Sequence, residues 1–361
     1  FPVMTACFYK EDGKINDLEF AEWVCEENAK FGNINIYLSD SIDSLASCCR
    51  LVNNVKDLGY SFSIGGSALS VGSVSVSTLN LPQIFLEAHK DIKNFLDLLQ
   101  YYTELNYIAL QVRRSIIQRN IEKGFLKIYQ PGLLDIDKQY STFGITGLYD
   151  VLLMADLINI DPITNCVSIS EQGYEFTDEV FDAINEIPHD VQYYNIKFNM
   201  EQVPAENAAV KFIQKSAFWY PEEHKDYPFP VYANQWIHLD AQATIAERIK
   251  AAAYCDKNFS GGAIMHINID DIQSPEQVFR FLEYCAEAGV IYFAFNKKIK
   301  ECEESHHWAT RENECPICRK PPQNYFTRPV GFITKVKYWS KERQQDFHRR
   351  QFYREKELLI S

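Results

Sequence analysis

The chain has 361 residues, 46% hydrophobic and 24% charged, which suits a globular protein of one large domain or about two. Its formal net charge of −13 excludes the basic footprint of a general nucleic-acid binder. No apolar run approaches the roughly 18 residues of a membrane span and no signal peptide is recognisable, so the expectation is a cytoplasmic protein without a membrane partner.

The first residues, "FPVMTACFY", read as a strand already under way, without an initiator Met, as in a processed chain, a fragment or one piece of a larger assembly. "NDLEFAEWVCEENAKFG" has helical periodicity, with Gly32 near its C-cap. "INIYLSDSIDSLASCCRLVNN" starts as a strand and turns polar. Residues 64–79, rich in Gly and Ser with alternating Val, predict a constrained loop entering a strand, and residues 84–127 predict helix. Strands and helices then alternate. "YSTFGITGLYDVL" passes through a glycine turn into a helix, "YYNIKFNMEQVPAENAAVKFI" is strand, loop and helix, and "GGAIMHINI" is a buried strand. "SPEQVFRFLEYCAEAG" is a helix capped at Ser274, and "VIYFAFN" is a strand. This is α/β organisation over residues 1–296. From 297 to 361 the character changes to loops, Cys/His, the strand-like stretch "FTRPVGFITKVKYW" and a charged helix from about 340. Gly331 interrupts that stretch, where a glycine marks a bulge or a close approach to the backbone.

Ten cysteines in a chain of this size suit thiols or metal ligands better than a disulfide scaffold. Cys7, Cys25, Cys166, Cys255 and Cys285 lie singly in apolar surroundings and read as buried hydrophobes. Cys315-Pro-Ile-Cys318 is a zinc-knuckle pattern, because two thiolates on a tight turn take adjacent corners of a tetrahedron. Cys302 supplies a third ligand from 13 positions earlier (315 − 302). The fourth is His306, with His307 as the alternative. Three thiolates and one imidazole close a four-coordinate shell, so the zinc is expected to be structural. The vicinal pair Cys48–Cys49, followed by Arg50, fits buried packing, redox-active thiols, or a nucleophilic or radical cysteine.

Together these segments resemble the catalytic subunit of anaerobic (class III) ribonucleotide reductase, a glycyl radical enzyme. "SCCRL" resembles the finger-loop cysteine motif, "GSVSVSTLNLPQI" the strand and substrate loop that follow, and "RPVGF" the glycyl radical motif, usually written R-V-x-G-Y. "TFGITGLYDVL", "QVPAENAAVKF", "YANQWI" and "GGAIMHINI" occur in the family's order, and a Cys/His cluster before the glycine is typical of it. The glycine motif departs from the pattern in Pro329 and Phe332. The resemblance implies the second half of a ten-stranded α/β barrel, the first strands and any nucleotide-binding cone belonging to a segment or chain outside this one.

The resemblance also implies roles. Gly331 is the position from which an activase using S-adenosylmethionine and an iron–sulfur cluster removes a hydrogen. Cys49 matches the thiol that passes the radical to the substrate ribose, Cys48 being an auxiliary thiol or a bystander. Asn80 matches a residue that hydrogen-bonds the sugar. Ala205, Glu206 and Asn207 match the helix start that holds the substrate phosphates. Physically, the helix following Pro204 offers unpaired N–H groups and a positive dipole end to an anion, through backbone rather than the Glu206 side chain. The expected activity is reduction of ribonucleotides, as triphosphates, to deoxyribonucleotides by a homo-oligomer. A formate-lyase-type glycyl radical enzyme and a non-catalytic half-barrel are the alternatives.

Overall fold

The computed structural model describes residues 4–41, 44–47, 51–54, 72–132, 134–186, 196–203, 205–271, 274–354 and 357, with backbone alone at 44–47, 51–54, 206 and 271. Strand β1 (Met4–Glu11), helix α1 (Leu18–Phe31) and strand β2 (Ile34–Ser39) form the first unit, with β1 parallel to β2 from Met4↔Ile34 to Tyr9↔Ser39. Asp17 caps α1 by accepting from Phe20 N at 3.1 Å, and Gly32 ends it in the left-handed conformation, φ +60°. A short hairpin follows, Ser44–Ser47 against Leu51–Asn54, closing at Ser47↔Leu51. The three residues that join its arms, Cys48, Cys49 and Arg50, lie outside the described residues.

Five strands then run in one direction: β3 (Ser73–Asn80), β4 (Tyr140–Thr146), β5 (Phe198–Gln202), β6 (Met265–Asp271) and β7 (Tyr292–Lys297). β4 pairs in parallel with β3 and β5, and β6 with β7. A parallel bridge from Glu201 to Gly262, just ahead of β6, joins the two groups. β7 in turn pairs antiparallel with β2, Tyr292 opposite Tyr37. The sheet therefore curls through β3-β4-β5-β6-β7-β2-β1, an α/β half-barrel with β1 and β2 opposed to the other five.

Alternation along each strand sorts side chains by face. Ala6, Phe8, Ile36, Leu38, Phe143, Ile145, Ile267, Ile269, Phe293 and Phe295 point outward into one hydrophobic core with the covering helices. These helices are α1, α2 (Leu81–Glu87), α3 (Ile92–Glu122), α4 (Leu148–Met154), α5 (Glu171–Asn185), α7 (Ile245–Cys255) and α8 (Pro275–Ala288), while α6 (Glu206–Trp219) packs beside α2 outside that core. The helix expected over 84–127 is thus two. The chain breaks at His89 and Lys90, which take φ +55° and +60°, and Asp91 caps the new helix. Gly144 sits where β3 and β4 meet the exit of β5. A Cβ there would lie 2.2 Å from Val203 Cγ2 and 2.8 Å from Thr78 Oγ1.

Beyond β7 a small antiparallel sheet has the order β9-β8-β10-β11, made of β8 (Ile299–Cys302), β9 (His307–Trp308), β10 (Pro322–Thr327) and β11 (Thr334–Lys335). Helix α9 (Lys341–Arg349) leads to β12 (Tyr353–Arg354), which pairs with β6. The stretch 326–339 is therefore not one strand. β10 ends at Thr327, residues 328–333 form the loop of a hairpin, and Gly331 is buried in that loop. Proline at 329 has no N–H to give a ladder, which favours leaving the sheet there.

Candidate active site and metal centre

The inner face of the curled sheet combines a small apolar cluster around Tyr37, Tyr292 and Ala294 with many polar groups. Thr5 Oγ1 lies 3.0 Å from the Tyr292 hydroxyl, to which Asn35 Nδ2 donates at 3.2 Å. Asn296 Nδ2 donates to Asn268 Oδ1 at 3.0 Å and lies 3.3 Å from His266 Nδ1. Thr142 Oγ1 donates to Asn199 Oδ1 at 2.7 Å. Four buried polar atoms on this face have no partner among the described residues: Asn35 Oδ1, Asn80 Oδ1, Asn199 Nδ2 and Asn296 Oδ1. Buried amides left unpaired cost stability, so such a set indicates a surface built to receive a polar ligand or water. Apart from Asn80, the sequence reading missed these residues. Their signal is the polar member of each alternating run, in "INIYLS", "HINI" and "FAFN".

Of the predicted substrate-binding residues, Asn80, Ala205 and Asn207 lie at one rim, the carboxyl end of the five parallel strands. This is the end at which α/β sheets place ligands. Asn80 closes β3, opposite Thr146 at the end of β4, and its Nδ2 donates to Gln83 Oε1 at 3.1 Å. Ala205, just past β5, takes φ +52° and starts α6, whose N-terminus has no side-chain cap. The alanine at its N-cap has no side-chain oxygen to offer the first N–H groups, and Asn207 is exposed. The Glu206 side chain and Pro204 lie outside the described residues, as does Cys49, so none of them is placed here.

The glycine loop is tied to the same rim by two buried arginines. Arg328 donates from Nη1 to the carbonyl of Phe295, two residues before the end of β7 (2.7 Å), and from Nη2 to that of Asn33, one residue before β2 (3.2 Å). Arg350, at the end of α9, donates to the carbonyls of Arg328 (2.7 Å) and Pro329 (2.9 Å).

The metal-ligating candidates converge at the other end of this hairpin's sheet. Cys302 ends β8, and β8 pairs with β10 from Ile299↔Phe326 to Cys302↔Pro322. Two tight turns, each with a left-handed residue (Ser305 and Arg319), bring the ligands together. His306 Nδ1 lies 3.6 Å from Cys302 Sγ and 3.5 Å from Cys315 Sγ, and Cys318 Sγ lies 3.5 Å from Cys302 Sγ. One atom from each of the four lies within 4.8 Å of all the others. With metal–sulfur bonds of about 2.3 Å and metal–nitrogen bonds of about 2.0 Å, these are near the edges of a tetrahedron around one ion. The donor set fits zinc, held by Cys302, His306, Cys315 and Cys318, and the ion would pin the loop. His307 is engaged elsewhere, with Nε2 3.4 Å from Glu301 Oε1. Glu301 also accepts from Lys335 Nζ and Asn324 Nδ2, each at 2.7 Å. One carboxylate thereby links all four strands of the small sheet. Of the solitary cysteines, Cys25, Cys255 and Cys285 are buried, while Cys7 and Cys166 are half-buried. Burial pushes the Cys25 thiol up to about 12 and those of Cys255 and Cys285 well up, which keeps all three inert.

A family model for anaerobic ribonucleoside-triphosphate reductase matches residues 1–353. The chain belongs to this family. A solved anaerobic ribonucleotide reductase superposes with a TM-score of 0.86 at 38% identity, covering 98% of this chain and 55% of its own. The Thermotoga maritima reductase with glycerol in the active site gives 0.83 at 38% identity, over 96% of this chain and 56% of the other. The same reductase in complex with dATP and CTP gives 0.82 at 37%, over 96% and 55%. This reductase-family chain thus spans about half the length of the solved structures it matches. A search of curated proteins finds no match. No helix among the described residues is long and apolar enough to cross a membrane.

Proposed function

We propose that this chain carries the radical-bearing half of an anaerobic ribonucleotide reductase barrel, which reduces ribonucleoside triphosphates to 2′-deoxyribonucleotides. The observation that carries the reading is the convergence of Asn80, the uncapped start of α6 and the buried Gly331 loop on one rim of a reductase-family half-barrel. A radical on the Gly331 α-carbon takes the hydrogen of the Cys49 thiol. The Cys49 thiyl takes the 3′-hydrogen of the ribose, and the 2′-hydroxyl takes up a proton and leaves as water. An external two-electron reductant (formate or a dithiol) reduces the 2′-carbon, and return of the hydrogen from Cys49 to the 3′-carbon regenerates the thiyl. Asn80 hydrogen-bonds the sugar. Backbone N–H groups from Ala205 to Asn207 hold the phosphates, with the positive end of α6 behind them. Zinc at Cys302, His306, Cys315 and Cys318 is structural. A radical S-adenosylmethionine activase installs the radical, a further segment or chain completes the barrel, and the assembly is a cytoplasmic homo-oligomer. The reductase family match favours this reading over a formate-lyase-type enzyme.

The test is anaerobic activation with the activase, S-adenosylmethionine and an electron donor for the activase, followed by turnover with the rest of the barrel and with formate or a dithiol as reductant. The expected result is a doublet in the electron paramagnetic resonance spectrum, conversion of CTP to dCTP, and, on admitting oxygen, backbone cleavage at Gly331. Gly331→Ala removes the doublet and the cleavage, and Cys49→Ser removes turnover while the doublet stays. Absence of both radical and cleavage in the complete system overturns the reading and leaves a non-catalytic half-barrel.

A further inference from the structure

Helix α9 carries Arg343, Asp346 and, at its end, Arg350 along one face at i, i+3 and i+7, all buried. Asp346 Oδ2 accepts from Arg350 Nη2 at 2.7 Å and Nε at 3.2 Å, and lies 3.5 Å from Arg343 Nη1. The two guanidinium groups then reach in different directions. Arg350 holds the carbonyls of Arg328 and Pro329, the latter two residues before Gly331. Arg343 Nη2 donates to the carbonyl of Ala205, the residue that starts α6, at 3.1 Å. One carboxylate therefore orients both the clamp on the glycine loop and the clamp on the helix start.

We propose that Asp346 is a positioning residue that couples the substrate-phosphate end of the site to the glycine loop, so that a shift at α6 is transmitted to Gly331 through Arg343, Asp346 and Arg350. Any buried guanidinium must satisfy its donors; what distinguishes these two is that their carbonyl partners belong to the glycine loop and to the start of α6. Besides Asp346, Arg343 reaches the carbonyl of Ala205 and Arg350 reaches those of Arg328 and Pro329, at separate parts of the rim. Although burial raises it, the Asp346 carboxyl is held well below the usual range by Arg350 and Arg343, so the clamp stays charged. The inference rests on the reading of Gly331 as the radical carrier and of α6 as the phosphate site.

The experiment compares Asp346→Asn, Arg343→Lys and Arg350→Lys with the unsubstituted protein, activated anaerobically in the complete system. It reads the radical per chain and its decay, kcat and KM for CTP, thermal unfolding and zinc content. Asp346→Asn is expected to lower kcat by about tenfold to a hundredfold, as for misplacement by about 1 Å. It also raises KM and shortens the life of the radical. Arg343→Lys raises KM with little change in the radical, and Arg350→Lys does the reverse. Addition of CTP lengthens the radical's life in the unsubstituted protein and no longer does so in Asp346→Asn. If all three variants only lower the unfolding temperature, with radical, KM and the CTP effect unchanged, Asp346 is a structural ion-pair residue and the coupling is wrong. Should Asp346→Asn fail to fold, the two lysine variants decide: changes in radical and KM that do not separate between them overturn the proposal. Absence of a radical in the unsubstituted protein overturns the underlying reading instead.

Discussion

Replacing Arg328 with methionine keeps most of the buried stem and removes the guanidinium that spans two strands of the curled sheet. Arg328 is 3% exposed and gives one hydrogen bond to Phe295 O at 2.7 Å and another to Asn33 O at 3.2 Å. Hydrogen bonds from a charged donor are worth about 1.5–3 kcal/mol each, and the two carbonyls left behind are partly desolvated. Retained packing by the methionine offsets part of the loss, so the expected cost is about 3–5 kcal/mol. For a chain of this length that is a fall in unfolding temperature of about 5 °C. Arg328→Lys can satisfy only one of the carbonyls well and should lose about half as much. Scanning calorimetry measures both, and limited proteolysis within 328–333 reports whether the glycine loop has come away from the rim. A methionine variant within about 1 °C of the unsubstituted protein, with no new cleavage, would show that the loop is held by something other than these bonds.

The remaining predictions concern three other parts of the molecule. His238 is buried, with Nε2 3.0 Å from Val231 O and Nδ1 accepting from Asp240 N at 3.1 Å, and burial lowers its pKa to about 4. Between pH 6.5 and about 4 the unfolded chain therefore binds a proton that the folded chain does not, and stability falls with pH by up to about 3 kcal/mol. His238→Gln, which can keep both hydrogen bonds, should flatten that part of a urea-melt pH series, and an unchanged slope argues against a neutral His238. Gly144→Ala should destabilise by about 1–3 kcal/mol through overlap with Val203, and Val203→Ala should recover much of it in the double variant. Failure of that rescue places the strain at Thr78. Chelation should release one metal ion per chain and open residues 303–321 to protease while β1–β7 stay protected, because ligand binding and local folding are linked. Uniform protection after metal loss would refute the pinning role.

Much of this arrangement is written in local pattern. The Cys302, His306, Cys315 and Cys318 spacing, the Gly32 cap and the β/α alternation each depend on residues close in sequence. What was not legible depends on distant partners or on competing local signals. The run from Phe326 to Trp339 has the composition of a strand, but Arg328 is drawn to Phe295 O and Asn33 O, and that turns the run into a hairpin. Apolar periodicity continues across His89 and Lys90 and hides the break between α2 and α3. Asn35, Asn268 and Asn296 look like solvent-facing positions until β2, β6 and β7 are known to be neighbours. The face shared by Arg343, Asp346 and Arg350 was read only as a charged helix, because nothing local reveals that it is buried.

The pairing of β7 with β2 bears on how the protein is made. Tyr37 meets Tyr292, 255 positions later (292 − 37), and β12, at residues 353 and 354, is needed to cover the edge of β6. At about 5–20 residues per second, a ribosome exposes β2 for tens of seconds before β7 emerges. Throughout that interval "INIYLS", with three aliphatic residues and no formal charge, presents a strand edge to other nascent chains. Long-range closure of this kind is slow, since the loop must be ordered before the contacts form. The C-terminal third thus acts as a latch on the first strands, and chains stalled before about residue 290 are the ones expected to aggregate or to call on chaperones.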